Sequence, residues 1–484
     1  MNPLSGALPV LHDSFHRAPD MARILASQQQ AYVGDMMPSQ AVRTDRLRRL
    51  LDMTERHGPA LVEAISSDFG HRSPHETRLA DLMMVAAATR HAMRHLRAWM
   101  KPRRAPTALH YRPGYSRILR QPLGVVGVVA PWNYPYQLAM GPAVGAIAAG
   151  NRVMIKPSEL TPAFSALLQE CVAATFAEEE MAVVTGDADV ARAFVELPFD
   201  HLVFTGSTSV GRLVAQAAAR NLTPVTLELG GKSPAILDES CDFHVAAPRL
   251  IQGKLLNAGQ TCIAPDYALV PAERAEELVS ALLRAAAKMY PGYVGNADYT
   301  AIINARHYAR LQELVEDARA RGARVIALNG VERPMPGSRK MVPAIVLGVT
   351  PDMKIMQEEI FGPLLPVMTY RSLDDAIGYI NRNDRPLALY WFGKDRRHRD
   401  QVLARTISGG VTINDCLWHF GQEDMPFGGV GASGNGAYHG EFGFRTFSKE
   451  KPVFFQPRFN GMFLLYPPYG KTFERMATLL KRIT

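Results

Sequence analysis

Four short apolar segments of this 484-residue chain each end in a polar or glycine-rich turn. Three of these turns lead toward helical sequence, and such alternation of strand and helix is typical of α/β proteins. The predicted strands are Gly124–Ala130, Arg152–Ile155, His201–Phe204 and Thr223–Leu229. In open α/β sheets, ligands bind outside the carboxyl ends of the strands. The sequence therefore predicts an α/β fold with a binding site built from these turns.

Length and charge narrow the classes of protein to which the chain can belong. A chain of 484 residues is too long for one ordinary core, so two or three domains are expected. The net charge of +8 includes basic runs at Arg43–Arg49 and Lys101–Arg104. Because no aromatic residues interleave with these charges, we interpret both runs as solvated faces and expect no nucleic-acid partner.

The chain shows neither a secretory signal nor a candidate membrane span. The apolar run Leu138–Ala149 is too short to cross a bilayer, so no transmembrane anchor is expected. Only four cysteines occur, which together with the missing signal favours a reducing cytoplasm. The segment Tyr469–Thr484 suits a basic amphipathic helix, and packing on the protein body is favoured over contact with a membrane.

One cysteine lies in the polar, glycine-containing segment Asn257–Cys262, between a helical run and an apolar run. A thiol on a tight turn with backbone N–H groups nearby suits nucleophilic catalysis. Cys262 is therefore the candidate nucleophile, and a buried structural cysteine is the alternative. Cys171 and Cys241 are interpreted as structural, and Cys416 lies in a loop that could border a pocket.

Two further residues suit the chemistry of a cysteine nucleophile. Glu228 ends an apolar strand, where the pKa of a carboxyl tends to rise, as a general base requires; an exposed strand-end charge is the alternative. Asn133 lies between prolines at a strand-to-helix turn. Its amide N–H suits an oxyanion, although asparagine is also an ordinary turn residue.

Three segments are candidates for binding a nucleotide. Gly206–Gly211 opens a helix after a strand and suits a pyrophosphate, while a plain capped helix fits its spacing equally well. Lys156 and Glu159 follow a strand and suit ribose hydroxyls, with a surface pair as the alternative. Glu358–Pro363 combines carboxylates with an aromatic ring, which suits the binding of a sugar. An ordinary acidic turn is the alternative.

Taken together and in this order, these residues resemble the aldehyde dehydrogenase superfamily from about Arg43 to Lys449. The form APDY after the cysteine resembles the class 3 branch, and the nearest resemblance is to bacterial coniferyl aldehyde dehydrogenases. The segments that carry the resemblance are LELGGKSP (Leu227–Pro234), NAGQTCIAPDY (Asn257–Tyr267), EEIFGP (Glu358–Pro363), PFGGVGASGNGAYHG (Pro426–Gly440) and FGFRTFS (Phe442–Ser448).

The resemblance implies roles for the matched residues. Cys262 would be the nucleophile, Glu228 the base and Asn133 the oxyanion donor. The residues implied to hold NAD, or alternatively NADP, are Trp132, Lys156, Ser158, Glu159, Gly206, Ser207, Gly211, Leu229, Gly230, Glu359 and Phe361. No metal site is expected, because His91 and His95 lack a third ligand and are interpreted as an ordinary surface pair.

The resemblance also implies three parts and a homodimer. A Rossmann-like NAD(P)-binding domain would take residues 1–106 and 122–228, and an α/β catalytic domain residues 229–448. A small β element that bridges subunits would take residues 107–121 and 449–460, which leaves a C-terminal tail at 461–484. The hairpin predicted at Thr107–Gln121 and the strand-like Pro452–Gln456 fit the bridging element.

The implied reaction is NAD(P)-dependent oxidation of an aldehyde to a carboxylic acid through a thiohemiacetal and a thioester on Cys262. Tyr134, Trp418 and Phe420 are the aromatic residues expected around a tunnel, which favours an aromatic, coniferyl-type aldehyde. The alternative role for these rings is ordinary packing, and the alternative substrate is a medium- or long-chain aliphatic aldehyde. A catalytically silent structural relative and a cysteine esterase or acyltransferase without nicotinamide are the alternatives from other classes.

Overall fold

The computed structural model describes residues 18–328 and 337–483, and its strands form three sheets. In chain order the strands are β1 (Arg103–Ala105), β2 (Tyr115–Pro122), β3 (Val125–Val129), β4 (Arg152–Lys156), β5 (Met181–Val183), β6 (His201–Thr205), β7 (Val225–Glu228), β8 (Pro234–Leu237), β9 (Tyr267–Pro271), β10 (Arg324–Ala327), β11 (Ala344–Leu347), β12 (Leu364–Tyr370), β13 (Ala388–Phe392), β14 (Gly410–Ile413), β15 (Gly434–Asn435) and β16 (Ser448–Phe455).

Helices cover much of the remaining described chain. They are α1 (Ala18–Gly34), α2 (Gln40–Phe69), α3 (Pro74–Thr77), α4 (Met84–Trp99), α5 (Pro135–Ala149), α6 (Pro162–Thr175), α7 (Ala188–Val195), α8 (Thr208–Ala219), α9 (Phe243–Leu255), α10 (Ala275–Met289), α11 (Ala305–Ala320), α12 (Lys354–Gln357), α13 (Leu373–Arg382), α14 (Arg396–Arg405), α15 (Gly440–Thr446) and α16 (Lys471–Ile483). A π-helical turn, Arg78–Met83, joins α3 to α4.

The first sheet has the strand order β15-β7-β6-β3-β4-β5, and all neighbours are parallel except β15 and β7. Its strands β3, β4 and β6 are buried along their whole length, which explains their continuous apolar sequence. The four strands predicted from the sequence are β3, β4, β6 and β7. Because they are parallel neighbours, their carboxyl ends meet at one edge, as predicted.

The second sheet has the order β10-β11-β12-β9-β8-β13-β14, and only β10 is antiparallel to its neighbour. Strands β9 and β12 are adjacent and parallel, so the segments that precede them lie at the same edge. Those segments carry Cys262, just before β9, and Glu359 with Phe361, just before β12. The predicted α/β fold, with a Rossmann-like sheet and a second α/β unit, is confirmed.

The third sheet is small and antiparallel, with the order β1-β2-β16. The predicted hairpin at Thr107–Gln121 is shifted, because its first strand lies earlier, at Arg103–Ala105. Pro106 and Pro113 lack the N–H needed to extend a ladder between these positions, and a 3-10 turn forms at Leu109–Tyr111 instead. The predicted division into domains and the bridging role of this sheet stay predictions.

The interpretation of Arg43–Arg49 as a solvated face is wrong for two of its arginines. Arg43 and Arg46 are 1% and 6% exposed. The Arg43 guanidinium donates to the carbonyls of Ala148 and Ala149 at 3.2 and 2.6 Å, and so satisfies the free carboxyl end of α5. Arg46 Nε donates to Glu180 at 3.0 Å.

The C-terminal tail does contain the predicted helix, α16. Its described side chains are exposed or partly exposed, and it packs on the 3-10 turn Met462–Leu465 of the same tail. The expected burial against the protein body is therefore not seen. Across residues 18–328 and 337–483, none of the helices has the length and apolar character that a membrane span needs.

Candidate active site

The turn that carries Cys262 is held in an unusual backbone conformation. Asn257 and Ala258 have φ angles of 53° and 52°, in the left-handed region that non-glycine residues rarely adopt. The buried Gln260 side chain stabilises the turn by donating to the carbonyls of Asn257 and Ala301, both at 3.0 Å, and accepting from Ile303 N at 2.9 Å. Gln260 belongs to the segment Asn257–Tyr267, but the sequence alone did not predict this role for it.

The Cys262 side chain is partly accessible, and its thiol is protonated at neutral pH. Burial, with smaller contributions from the charges of Glu359 and Glu228, raises the pKa of Cys262 to about 12, while the N–H groups of Cys262 and Ile263 oppose the rise. Both carboxyl groups therefore lie close enough to the sulfur to act on it electrostatically. Formation of the thiolate requires a nearby base.

Glu228 is 2% exposed at the end of β7, so the alternative of an exposed charge is wrong. Burial raises its pKa well above the ordinary value. Within the described chain, neither carboxyl oxygen has a hydrogen-bond partner. A Cβ at Gly428 would lie 3.2 Å from Glu228 Oε1, so a glycine here leaves room beside the carboxyl group. Such a free, buried carboxyl group can accept a proton from water or a thiol.

Tyr438 is a further neighbour, which sequence reasoning missed. It is 2% exposed, and burial raises its pKa, with smaller contributions from the charges of Glu228 and Cys262. Its position in the quoted segment Pro426–Gly440 was the only available signal.

Asn133 packs directly against the cysteine turn. Its Nδ2 donates to the Gln260 carbonyl at 3.1 Å, and its own carbonyl accepts from Asn257 Nδ2 at 2.9 Å. An amide nitrogen has two N–H donors, so one stays available to an oxyanion. The Asn133 side chain is therefore fixed beside Cys262, as an oxyanion donor must be.

The candidate pyrophosphate site lies at the start of α8. Ser207 is the exposed N-cap residue, and its hydroxyl accepts from Val210 N at 3.4 Å. The helix begins at Thr208, inside the predicted glycine-containing segment. A Cβ on Gly211 would lie 2.6 Å from Leu229 Cδ2, so this glycine lets α8 pack closely on the sheet. Gly206 is partly exposed beside the cap. Capping and anion binding are both compatible with this arrangement.

The candidate ribose residues follow β4. Lys156 is 1% exposed, so the surface-pair alternative is wrong for it, and burial lowers its pKa. Its Nζ donates to the Pro157 carbonyl at 2.8 Å, which leaves two N–H donors. The buried Ser158 hydroxyl accepts from Leu160 N at 3.2 Å, and Glu159 is exposed.

Glu359 connects the two large sheets. A Cβ on Gly230 would lie 2.0 Å from Glu359 Oε2, so the carboxyl group rests directly on that glycine. Burial and the charge of Asp266 raise the pKa of Glu359 to about 8, while the Gly231 N–H opposes the rise. Its Oε1 is shielded from solvent and unpartnered in the structure as described. Such an acceptor suits the hydroxyl groups of a ribose.

Two aromatic rings complete this part of the site. The rings of Trp132 and Phe361 meet edge to face at 5.4 Å. Phe361 has a φ angle of 51°, again in the left-handed region. The structure thus brings Trp132, Glu359 and Phe361 together beside the cysteine turn, and their contact with NAD stays a prediction.

A largely apolar cavity leads to Cys262. All three predicted substrate residues, Tyr134, Trp418 and Phe420, line it. Trp418 is 57% exposed at the mouth, while Tyr134 is buried with its hydroxyl 2.6 Å from Thr261 Oγ1. Sequence reasoning missed most of the wall, which also includes Leu79, Met83, Met84, Leu138, Arg249, Gln252, Gly253, Leu256, Ile263, Asp415 and Leu417.

The histidine pair in α4, His91 and His95, is not the ordinary surface pair that the sequence predicted. His91 is 6% exposed and packs with His95 and Trp99, so it is no surface residue. In the part of the chain that the structure covers, no three His, Cys, Asp or Glu side chains are grouped to hold a metal ion.

The profile of the aldehyde dehydrogenase family matches residues 15–453. The chain belongs to the aldehyde dehydrogenase family. It is 50% identical over 469 residues to the "Probable coniferyl aldehyde dehydrogenase" of Pseudomonas aeruginosa, covering 96% of this chain and 97% of the relative. The resemblance inferred from the motifs is thereby confirmed, and the enzyme is an aldehyde dehydrogenase.

Solved structures agree with this assignment. The substrate-bound state of Staphylococcus aureus AldH superposes with a TM-score of 0.90 at 36% identity, covering 95% of this chain and 99% of that one. The NAD-dependent aldehyde dehydrogenase of Sinorhizobium meliloti gives a TM-score of 0.84 at 28% identity, covering 94% and 90%.

Proposed function

We propose that this aldehyde dehydrogenase oxidises an aromatic, coniferyl-type aldehyde with NAD, using Cys262 as nucleophile and Glu228 as base. The observation that carries the proposal is the grouping of Glu228 and Asn133 around the turn of Cys262, which itself lines an apolar cavity.

The first step forms a bond between sulfur and carbon. The Cys262 thiol gives its proton to the Glu228 carboxylate, and the sulfur attacks the aldehyde carbon. The carbonyl oxygen becomes an oxyanion, which accepts from the free N–H of Asn133 and the backbone N–H of Cys262. Loss of one such donor typically costs about 3–4 kcal/mol of transition-state stabilisation. The product is a thiohemiacetal on Cys262.

The residues present fit NAD. The unpartnered Glu359 Oε1 suits a nicotinamide-ribose hydroxyl, the free donors of Lys156 suit the adenosine ribose, and the N-terminus of α8 at Ser207 suits the pyrophosphate. When bound, NAD supplies the acceptor for the hydride that leaves the thiohemiacetal carbon. Cys262 is left carrying the acyl group as a thioester.

Hydrolysis of the thioester completes the cycle. Glu228 first loses the thiol proton to solvent, and its carboxylate then takes a proton from water. The hydroxide formed attacks the thioester carbon, the carbon–sulfur bond breaks, and the carboxylic acid leaves. The raised pKa of Glu228 makes it a stronger base than an ordinary carboxylate, which supports this role.

Glu159 supports NAD over NADP. It is exposed just beyond β4, where its negative charge would repel a 2′-phosphate. The relative from Sinorhizobium meliloti is itself named as NAD-dependent. Use of NADP as a second cofactor is the alternative, and comparison of kcat/KM for the two cofactors decides between them.

The substrate class rests on the cavity and on the similar Pseudomonas aeruginosa protein. An apolar cavity lined by Tyr134, Trp418 and Phe420 suits a planar aromatic body. A medium- or long-chain aliphatic aldehyde is the second candidate, favoured by the Leu and Met side chains of the same wall. The deciding measurement is kcat/KM for coniferaldehyde, benzaldehyde and a medium-chain alkanal.

The central experiment follows the ultraviolet absorbance of reduced NAD after addition of each aldehyde. The wild type should produce signal, and Cys262→Ala should produce none. A Cys416→Ala control, which removes the other thiol beside the cavity, should stay active. Signal from Cys262→Ala would reject the nucleophile. Hydrolysis of esters without any formation of reduced NAD would favour the cysteine esterase. The absence of any turnover would favour the catalytically silent relative.

The three-stranded sheet supports a homodimer. Strand β16 lies at its edge, and the rings of Tyr115 and Phe455 stack at 4.6 Å while each is at least 36% exposed. An exposed apolar edge of this kind suits pairing with a second copy. Light scattering during size-exclusion chromatography tests the subunit number.

All four cysteines are free thiols, which suits a reducing compartment such as the cytoplasm.

A further inference from the structure

One face of helix α9 forms a continuous wall of the substrate cavity. Arg249, Gln252, Gly253 and Leu256 all line the cavity. Gln252 and Gly253 follow Arg249 by three and four residues and so lie on the same side of α9, and Leu256 comes directly after the last residue of the helix. Leu256 directly precedes the cysteine turn. At 1.5 Å per residue, Arg249 lies about 10 Å further along the wall.

A charged pair occupies this outer end. Arg249 Nε lies 3.8 Å from Asp415 Oδ2, and one terminal nitrogen of Arg249 donates to the Asn414 carbonyl at 2.5 Å. The side chains of Arg249 and Asp415 are 43% and 32% exposed, so both reach solvent at the mouth. A guanidinium has five N–H donors, and most of those on Arg249 stay free to bind a ligand.

The loop that carries Asp415 is packed tightly on α9. A Cβ on Gly253 would lie 2.4 Å from Cys416 Cβ and 2.9 Å from its sulfur. Asp415 Oδ1 accepts from the Cys416 backbone N–H at 2.8 Å, which orients the carboxylate. Close contact at Gly253 thus fixes Asp415 beside Arg249 one turn further along the helix.

The wall between this pair and Cys262 is mainly apolar. Leu256, Ile263, Leu417 and Met83 are among its side chains. A ligand whose aldehyde carbon reaches Cys262 would therefore place an apolar body along α9 and its far end beside Arg249. A hydroxyl at that end can accept from Arg249 and donate to Asp415 at once.

We propose that Arg249, positioned by Asp415, determines specificity by binding a hydroxyl group at the end of the substrate opposite the aldehyde. The preferred substrates are then aldehydes with an apolar body that ends in a hydroxyl, such as a para-hydroxylated cinnamaldehyde. This inference rests on the proposed reaction at Cys262 and adds a second anchor for the substrate.

The test compares 4-hydroxycinnamaldehyde with cinnamaldehyde, which differ only in the distal hydroxyl. In the wild type, kcat/KM should be higher for the hydroxylated aldehyde. Arg249→Met keeps an apolar side chain of similar length but removes the donors. It should lower kcat/KM for the hydroxylated aldehyde about tenfold, as expected for a lost hydrogen bond to a charged group, mainly through KM. Cinnamaldehyde should change less than about twofold.

Arg284→Met is the matched control. Arg284 is exposed on α10 and does not line the cavity, so its replacement removes a surface charge without touching the proposed anchor. Both aldehydes should keep their wild-type kcat/KM. Asp415→Asn should reduce the preference for the hydroxylated aldehyde less than Arg249→Met does. An equal loss for both aldehydes in Arg249→Met, or no loss for either, overturns the proposal.

The outcome can be separated from a failure of the proposed substrate class. If the wild type oxidises alkanals but neither aromatic aldehyde, the coniferyl-type assignment is wrong. The ratio is then measured for two alkanals of equal length, one ending in a methyl group and one in a hydroxyl. Collapse of that ratio in Arg249→Met supports the anchor, and an unchanged ratio refutes it.

Discussion

The Arg72 guanidinium lies 3.0 Å from Asp81 Oδ2, and both side chains are completely buried. Asp81 Oδ1 also accepts from the backbone N–H groups of Tyr136 and Gln137, each at 3.1 Å, and so caps α5 from another element. The Arg72 guanidinium lies 4.9 Å from the centre of the Tyr134 ring. This ion pair therefore positions the turn that carries Asn133, the proposed oxyanion donor.

Replacing Asp81 should strongly destabilise the protein. In Asp81→Asn the Arg72 charge stays buried without its partner, and breaking a buried pair in this way costs about 3–5 kcal/mol. The free energy of unfolding from urea titration should fall by that amount. Glu276→Gln, which breaks an exposed pair with Arg324, is the control and should leave the midpoint unchanged. Equal midpoints for the two variants would contradict the assigned importance of the pair.

Glu228→Gln should separate hydride transfer from hydrolysis. The amide cannot take a proton from water, so the thioester should form but persist. A burst of reduced NAD is still expected, because loss of the Glu228 charge lowers the pKa of the Cys262 thiol and lets it release its proton to solvent. The steady-state rate that follows should be at least about a hundredfold below the wild type. Stopped-flow absorbance measures both phases. A variant with the wild-type steady-state rate would show that another group activates the water.

The same substitution should shift the onset of Cys262 reactivity to a lower pH than in the wild type. The charge of Glu228 is among the causes that raise the pKa of the thiol, so its removal should lower that pKa. Alkylation of the Cys262 peptide by iodoacetamide, followed by mass spectrometry across a pH series, should then begin at lower pH than in the wild type. Glu441→Gln, at an exposed pair with Arg120, serves as control. An unchanged or higher midpoint would exclude electrostatic contact between Glu228 and Cys262.

The thermal stability of the protein should depend on pH through Glu359. The folded-state pKa of this group is raised from 4.5 to about 8, so the folded protein holds a proton that the unfolded chain releases. Its contribution to stability is complete below the unfolded pKa and is lost as pH rises toward 8. Between pH 4.5 and about 8, the Tm of Glu359→Gln should therefore fall less than the Tm of the wild type. Parallel Tm profiles for the two proteins would be the contrary result.

Gly230→Ala should weaken NAD binding. The added Cβ would lie 2.0 Å from Glu359 Oε2 and must displace the carboxyl group from the position in which it is proposed to contact the nicotinamide ribose. We expect KM for NAD to rise about tenfold, the effect of losing a hydrogen bond to a charged group. Gly295→Ala, where nothing lies within 4 Å, is the matched control. If both variants bind NAD equally well, Glu359 does not contact the cofactor.

The local part of the site could be predicted from the sequence, because strand periodicity and turn residues act over a few positions. Strands β3, β4, β6 and β7 and their turns followed from that pattern. The meeting of Glu359 with Gly230 depends on how two sheets face each other, which no local pattern encodes.

Buried charges explain the main errors. Arg43 and Arg46 suggest exposed surfaces by residue type, and only their tertiary partners show why burial is tolerated. The role of Arg249 had no sequence signal, since the helix that carries it is ordinary in composition.

Strand β15 joins the first sheet from near the end of the chain. Gly434 pairs with Glu228, and Leu229 N donates to the Ser433 carbonyl at 3.1 Å. During synthesis on the ribosome, the outer edge of β7 therefore stays uncovered until about two hundred further residues, including β15, have been made. A polypeptide released before Gly434 would present that edge to other nascent chains, so premature termination yields an aggregation-prone fragment rather than a weak enzyme.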